Sequence, residues 1–261
     1  MKAFAGFGCI SHRWGENLEK KKNIAIILSG GTGTRLGGDI PKQYIEVRGK
    51  TIISYVLEVV MANKHIEAVQ IVADEKYRRI IEKDTKKYQK FVAFSAPGVT
   101  RQMSVYNALK DISYYADEDA KVLIHDAARP CVPDATINAC FDALKTFDGA
   151  MPVLPMKDTV YESKNGQIIT GLLARENIFA GQAPESYAFE AYYEANKRLL
   201  PDKILEINGS SEPAVMAGMK IALIDGDENN FKITTMSDLE KFKALQEKAY
   251  SEKVKRIRNY K

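Results

Sequence analysis

The chain has 261 residues, 45% of them hydrophobic and 28% charged. That is the balance of a folded globular protein, long enough to bury one large core or two small ones. A formal charge of +4 excludes the heavily basic footprint of a dedicated nucleic-acid binder, and favours small anions only where cations converge on one site. Three cysteines (Cys9, Cys131, Cys140) and three histidines (His12, His65, His125), all widely spaced, argue against a disulfide framework, a paired-cysteine zinc site and a multi-histidine metal centre. They suit a reducing cytoplasm.

In chain order, residues 1–22 are expected to form an N-terminal extension outside the fold. The apolar stretch Ala3–Ile10 is near the minimum for a signal segment, and no A-x-A site follows. No uncharged apolar run approaches the roughly 20 residues that span a bilayer. "NIAIIL" (23–28) reads as a strand buried on both faces. A glycine-rich loop follows, "SGGTGTRLGGDIPKQ". "TIISYVLEVVMAN" (51–63) has helical spacing, "AVQIVAD" (68–74) is a strand, "YRRIIEKDTKKYQKF" (77–91) a charged helix and "VAFSAP" (92–97) a strand. "RQMSVYNALKDISY" (101–114) is a helix, 120–130 a strand ending in polar residues, 133–146 a helix and 149–161 a strand with prolines.

Residues 158–182 break this alternation. "NG" between "TVYESK" and "QIITGLL" predicts a hairpin that projects as an arm. A helix over 186–200, a strand over 220–227 and a long helix over 235–258 complete the chain. Its last stretch, 246–261, is a basic helix end, read as a solvated terminus that complements the helix dipole. Strand and helix alternate repeatedly, which predicts an α/β fold with a doubly wound, mostly parallel sheet. Residues 23–245 form one domain carrying the arm. Ligands of such sheets bind beyond the carboxyl ends of the strands. The glycine-rich loop, "SAPGVTRQ" and "HDAARP" all fall there.

The glycine-rich loop fails as an ATP P-loop, because Asp39 follows Gly38 where lysine is required. It lacks the third glycine of a dinucleotide fingerprint, since Leu36 stands there. The looser run Gly31, Gly33, Gly37, with Glu46 or Glu58 as a ribose ligand, keeps a nicotinamide-dependent oxidoreductase open as an alternative. The composition suits a triphosphate better. Gly30, Gly31 and Gly33 let backbone N–H groups approach phosphate oxygens, and Arg35 and Lys42 add positive charge for a departing pyrophosphate.

Together, "SGGTGTRLGGDIPKQY", "GVTRQMSVYNAL", "HDAARPCV", "MKDTV" and "NFKITTMSDL" resemble the cytidylyltransferases that make CDP-activated polyols. That family includes the 2-C-methyl-D-erythritol 4-phosphate and ribitol-5-phosphate cytidylyltransferases. The resemblance runs from about residue 23 to 245. It implies CTP and a polyol phosphate as substrates, a Rossmann-like nucleotidyltransferase fold, Mg²⁺ as cofactor, and a homodimer whose arms are exchanged. It assigns Arg35, Lys42 and Lys232 to catalysis on the phosphates. Ser29, Gly30, Gly31, Gly33, Pro97, Gly98, Arg101 and Ser104 would bind the nucleotide. Asp126 would meet substrate and metal, and Arg129, Thr159 and Arg175 the polyol phosphate, Arg175 from the partner subunit.

The resemblance departs from the erythritol-type pattern in two places. "APESY" (183–187) stands where "TPQ" is usual, and "INGSSEP" (207–213) where a Thr-Asp pair is usual. The acceptor is therefore left between ribitol 5-phosphate and methylerythritol 4-phosphate. A non-catalytic nucleotide-binding relative is the remaining alternative.

Overall fold

The computed structural model describes residues 19–31 and 40–259. Its elements, in order, are β1 (Lys21–Leu28), β2 (Glu46–Val47), β3 (Lys50–Thr51), α1 (Ile52–Ala62), β4 (Ala68–Val72), α2 (Glu75–Thr85) and β5 (Phe91–Ser95). Next come α3 (Arg101–Ile112), β6 (Ala116–Asp126), α4 (Asp134–Ala143), β7 (Gly149–Pro155), β8 (Val160–Glu162), β9 (Gly171–Leu173) and β10 (Phe179–Gly181). The chain continues with β11 (Glu185–Ala188), α5 (Phe189–Lys197), α6 (Glu212–Met216), β12 (Ile221–Asp225) and α7 (Met236–Asn259).

The central sheet runs β5-β4-β1-β6-β11-β7, with β10 extending β11's side of β7 and β12 on β7's other side. β1, β4, β5 and β6 pair in parallel, as do β7 and β12. This is the expected mostly parallel α/β sheet, with β11 antiparallel at its middle and β10 antiparallel beside β7. The continuous apolar run of β1 has a direct cause. Ala25 and Ile27 point into a core shared with α1 and α4, while Ile24 and Ile26 point into a second core under α3 and α5. A strand covered on both faces cannot alternate apolar with polar residues.

Three local expectations are corrected. Residues 186–200 are not one helix: Glu185–Ala188 form β11, antiparallel to both β6 and β7, and the helix begins at Phe189. Ser186 and Tyr187 are fully buried there, and the Ser186 hydroxyl donates to the Cys140 carbonyl at 2.9 Å. Pairing on both edges outweighs helical periodicity in so short a segment.

The arm hairpin forms, with Val160 opposite Leu173, but "NG" is not a tight two-residue turn. The Asn165 side chain instead accepts backbone N–H groups from Gln167 and Ile168 within a wider loop over 163–170. The strand expected over 149–161 ends at Pro155. A small hairpin, β2–β3, was not expected. It turns at Arg48 and Gly49, both with positive φ.

Candidate active site

A cleft of about 480 Å³ opens at the carboxyl ends of β1, β5 and β6. Its first wall is the turn after β1. Gln43, buried in the 3-10 turn over Lys42–Tyr44, donates its amide to the Ser29 and Gly31 carbonyls, both at 2.8 Å. The Ser29 hydroxyl bonds Tyr44 at 2.9 Å and so faces the core. These bonds fix the start of the glycine-rich loop and set Lys42 in the cleft wall. Gly30 is required by close packing, since a Cβ there would lie 2.6 Å from the Pro97 side chain. Chain neighbours aside, none of the described residues comes within 4 Å of a Cβ placed at Gly31.

The second wall is the turn from β5 into α3. A Cβ at Gly98 would lie 2.4 Å from the Met103 Cβ and 2.8 Å from the Ser104 nitrogen. No side chain fits there without moving backbone. The Thr100 side chain caps α3 by accepting the Met103 N–H at 3.1 Å. The Ser104 hydroxyl accepts the Gly98 N–H and donates to the Thr100 carbonyl, so it holds the turn together.

The floor is the end of β6. Asp126 is 7% exposed and faces three cations. Arg101 reaches Oδ1 at 3.2 Å, Lys232 reaches Oδ2 at 2.9 Å, and Arg129 lies 3.7 Å from Oδ2. Burial pushes the Asp126 carboxyl up, but the surrounding cations outweigh it and hold it well below the usual carboxylate range. Lys232 is placed by backbone: the Ile233 N–H donates to the Ala128 carbonyl at 2.8 Å, and Arg129 donates to the Asn230 carbonyl at 2.7 Å. Asp238 accepts from Thr234 and Thr235 and ties the same segment to α7.

His125 is fully buried beside Asp126, with Nε2 3.1 Å from the Arg129 carbonyl. Burial pulls its imidazole down to about 4, although Asp126 pushes the other way. It is a neutral packing residue that fixes the turn after β6. A histidine with a depressed folded pKa contributes stability that is present above the unfolded value near 6.5 and lost as pH falls toward 4. Denaturant unfolding of the nucleotide-free protein is expected to show about 2 kcal/mol less stability at pH 5 than at pH 7 from this group, and His125→Gln removes most of that slope.

Lys42, Lys232, Gly30, Gly31, Gly98, Arg101, Ser104 and Asp126 therefore meet in one cleft. Gly33 and Arg35 lie outside the described residues. Pro97 packs behind Gly30. Arg129 stands behind Asp126, away from the cleft lining. Thr159 and Arg175 are on the exposed arm, where Arg175 donates to the Lys157 carbonyl at 2.8 Å. Neither lines the cleft of its own chain.

Gln43 and Thr234 line the cleft without having been assigned, and Thr100, part of the expected base-binding turn, lines it too. Gln43 carried a signal, since it closes the "PKQ" block. Thr100 carried one too, as a helix cap three residues before Met103.

A family model described as IspD, 2-C-methyl-D-erythritol 4-phosphate cytidylyltransferase, matches residues 23–248. A 2-C-methyl-D-erythritol 4-phosphate cytidylyltransferase of Thermosipho melanesiensis is 31% identical over 218 residues, covering 83% of this chain and 94% of the relative. A ribitol-5-phosphate cytidylyltransferase of Streptococcus agalactiae serotype V is 29% identical over 235 residues, covering 89% and 98%. A bifunctional IspD/IspF enzyme of Paramagnetospirillum magneticum is 31% identical over 227 residues, and this chain spans only 56% of its length. Among solved structures, the Francisella tularensis 2-C-methyl-D-erythritol 4-phosphate cytidylyltransferase superposes with a TM-score of 0.71 at 28% identity, covering 85% of this chain and 98% of that one. Fold, cleft and sequence agree, and the chain belongs to the 2-C-methyl-D-erythritol 4-phosphate cytidylyltransferase (IspD) family.

Proposed function

We infer that the chain is a cytidylyltransferase that moves CMP from CTP to a small polyol phosphate, of the methylerythritol 4-phosphate or ribitol 5-phosphate type, and releases pyrophosphate. The observation that carries this reading is the meeting of Lys42, Lys232 and Arg101 around Asp126 in a cleft edged by the Gly30–Gly31 and Gly98 backbones. An oxygen of the acceptor phosphate attacks the α-phosphorus of CTP. The bond from that phosphorus to the oxygen bridging the β-phosphate breaks, and its electron pair leaves with pyrophosphate. The attacking oxygen is already anionic at neutral pH, so the site needs positioned charge rather than a general base. The sealed, neutral His125 fits that requirement.

The same reading includes Mg²⁺. Among the described residues, Asp126 is the one acidic side chain lining the cleft, and no cluster of three potential protein ligands is present. That donor set suits a hard cation held mainly by phosphate oxygens and water, with Asp126 as its protein partner. When bound, the ion supplies further neutralisation of the polyphosphate charge.

A cytoplasmic location is also proposed, supported by the free thiols of Cys131 and Cys140. No helix among the described residues is long and apolar enough to cross a membrane.

A homodimer is proposed because the arm exposes Tyr161, Ile168, Ile169, Leu172 and Phe179, more apolar surface than a free hairpin retains without a partner. In it, Thr159 and Arg175 of one arm serve the partner's cleft.

The test is pyrophosphate release with CTP, ATP, GTP or UTP against methylerythritol 4-phosphate, ribitol 5-phosphate and related phosphates. Release with CTP and a polyol phosphate is expected, and silence with every acceptor contradicts the reading. Mixing Lys42→Ala with Arg175→Ala chains is expected to restore activity that neither has alone. Mixtures that stay as inactive as their components contradict the shared site.

A further inference from the structure

The segment that carries Lys232 has to cross the sheet. It leaves β12, on the far side of β7, and arrives at the end of β6, where the Ile233 N–H meets the Ala128 carbonyl. On the way it passes β7 and the approach to β11. Residues 226–234 belong to no strand or helix, so no ladder of backbone bonds sets their path. Such a crossing is fixed by the groups it meets.

It meets residues 182–183, the link between β10 and β11. The Gln182 amide pairs with the Asp227 backbone in both senses: Nε2 donates to the Asp227 carbonyl at 2.9 Å, and Oε1 accepts the Asp227 N–H at 3.1 Å. Asn230 answers from the loop, where Nδ2 donates to the Ala183 carbonyl at 2.7 Å. Each segment therefore holds the other's backbone with one side-chain amide. Both amides are buried, and a buried polar group that loses its partner is costly, which makes this crossing point specific. Just beyond it, the Asn230 carbonyl accepts from Arg129, and Lys232 stands 2.9 Å from Asp126. The arm is rooted on the same loop. Gln182 follows its returning strand, β10, and Lys157 on its outgoing stem pairs with Glu228.

We propose that Gln182 and Asn230 are positioning residues for nucleotidyl transfer: as a reciprocal amide lock they pin the crossing loop to the root of the arm and hold the floor of the cleft in register with its walls. The proposal rests on the cytidylyltransferase reading. Neither residue lines the cleft, and both act through Arg129 and Lys232. The walls built on Gly30, Gly31 and Gly98 follow β1 and β5, across β6 from the lock. Opening the lock therefore leaves the walls in place and lets the floor shift against them, and small misplacements of charge are expensive in the transition state.

Gln182→Met keeps the length of the side chain and removes both bonds to Asp227. Asn230→Leu keeps the size of the side chain and removes the bond to Ala183. Steady-state rates are measured well below each variant's thermal midpoint, where all of the protein is folded. In each variant kcat is expected to fall roughly tenfold while KM for CTP stays within about twofold. The two changes together are expected to cost little more than the worse one alone, because either opens the same lock. Asn230→Leu stands in if Gln182→Met does not fold, and failure of both to fold makes the lock a requirement of folding and overturns the proposal. Wild-type kcat in either folded variant overturns it, as does a loss confined to KM for CTP. Losses that multiply in the double variant overturn the reciprocal lock. Wild-type protein that is inactive with every CTP and acceptor pair overturns the functional reading itself, and this proposal with it, so the two failures are told apart.

Discussion

Lys42→Ala is expected to lower kcat/KM for CTP by roughly 10²–10³-fold, with the fold retained. The lysine is set by local geometry. Pro41 precedes it with extended backbone, Lys42 opens the 3-10 turn, and the neighbouring Gln43 amide ties that turn to the Ser29 and Gly31 carbonyls. Truncating Lys42 leaves these bonds in place, because they belong to Gln43 and the backbone. What nucleotidyl transfer loses is a positive charge in a partly enclosed cleft, where a fixed cation is worth far more against developing phosphate charge than it is in water. Steady-state pyrophosphate release and a thermal melt on the same preparation check both halves. A near-normal rate contradicts the role of Lys42. A large drop in the midpoint would mean that the turn depends on it.

Asp126→Ala is expected to cost about 3 kcal/mol of stability and to leave activity below about 1% of wild type. Removing the carboxylate leaves Arg101, Arg129 and Lys232 crowded together without their shared counter-ion. Breaking one side of a buried ion pair is expensive, and the figure taken here is at the low end of that range because the cations are partly exposed to solvent. The explanation has its own signature. An anion should refill the hole, so inorganic pyrophosphate is expected to raise the thermal midpoint of Asp126→Ala more than that of wild type. Thermal melts with and without pyrophosphate check this. Equal shifts in the two proteins would mean that the three cations are not held together by Asp126.

Much of the cleft was legible in the sequence because its parts are local. A buried strand followed by glycines, with Lys42 just beyond, is a short-range pattern, and so is "HDAARP" at a strand end. Their convergence followed from one topological rule, that the carboxyl ends of parallel strands share one edge. The β11 segment was misread for the opposite reason. "ESYAFEAYYEANK" has helical spacing throughout, and only pairing with β6 and β7, which lie far away in sequence, pulls its first residues into a strand. Likewise "NG" signals a turn, but the hydrogen bonds of Asn165 decide which turn it is.

The amino-acid sequence by itself determined the sheet, the place of the glycine-rich turn after β1 and the family, because each rests on residues close together in the chain or on motifs with fixed spacing. Only the tertiary structure decided which atoms each charge serves. Ser29 and Ser104, both expected at the nucleotide, spend their hydroxyls on Tyr44 and on the Gly98 turn. Arg101, expected there too, is held by Asp126, Ser210 and Glu185. Glu185 and Ser210 reach it from β11 and from the loop before α6, and no spacing rule connects those segments to α3. Electrostatic partnership depends on distances through space, and folding sets these by packing distant segments together.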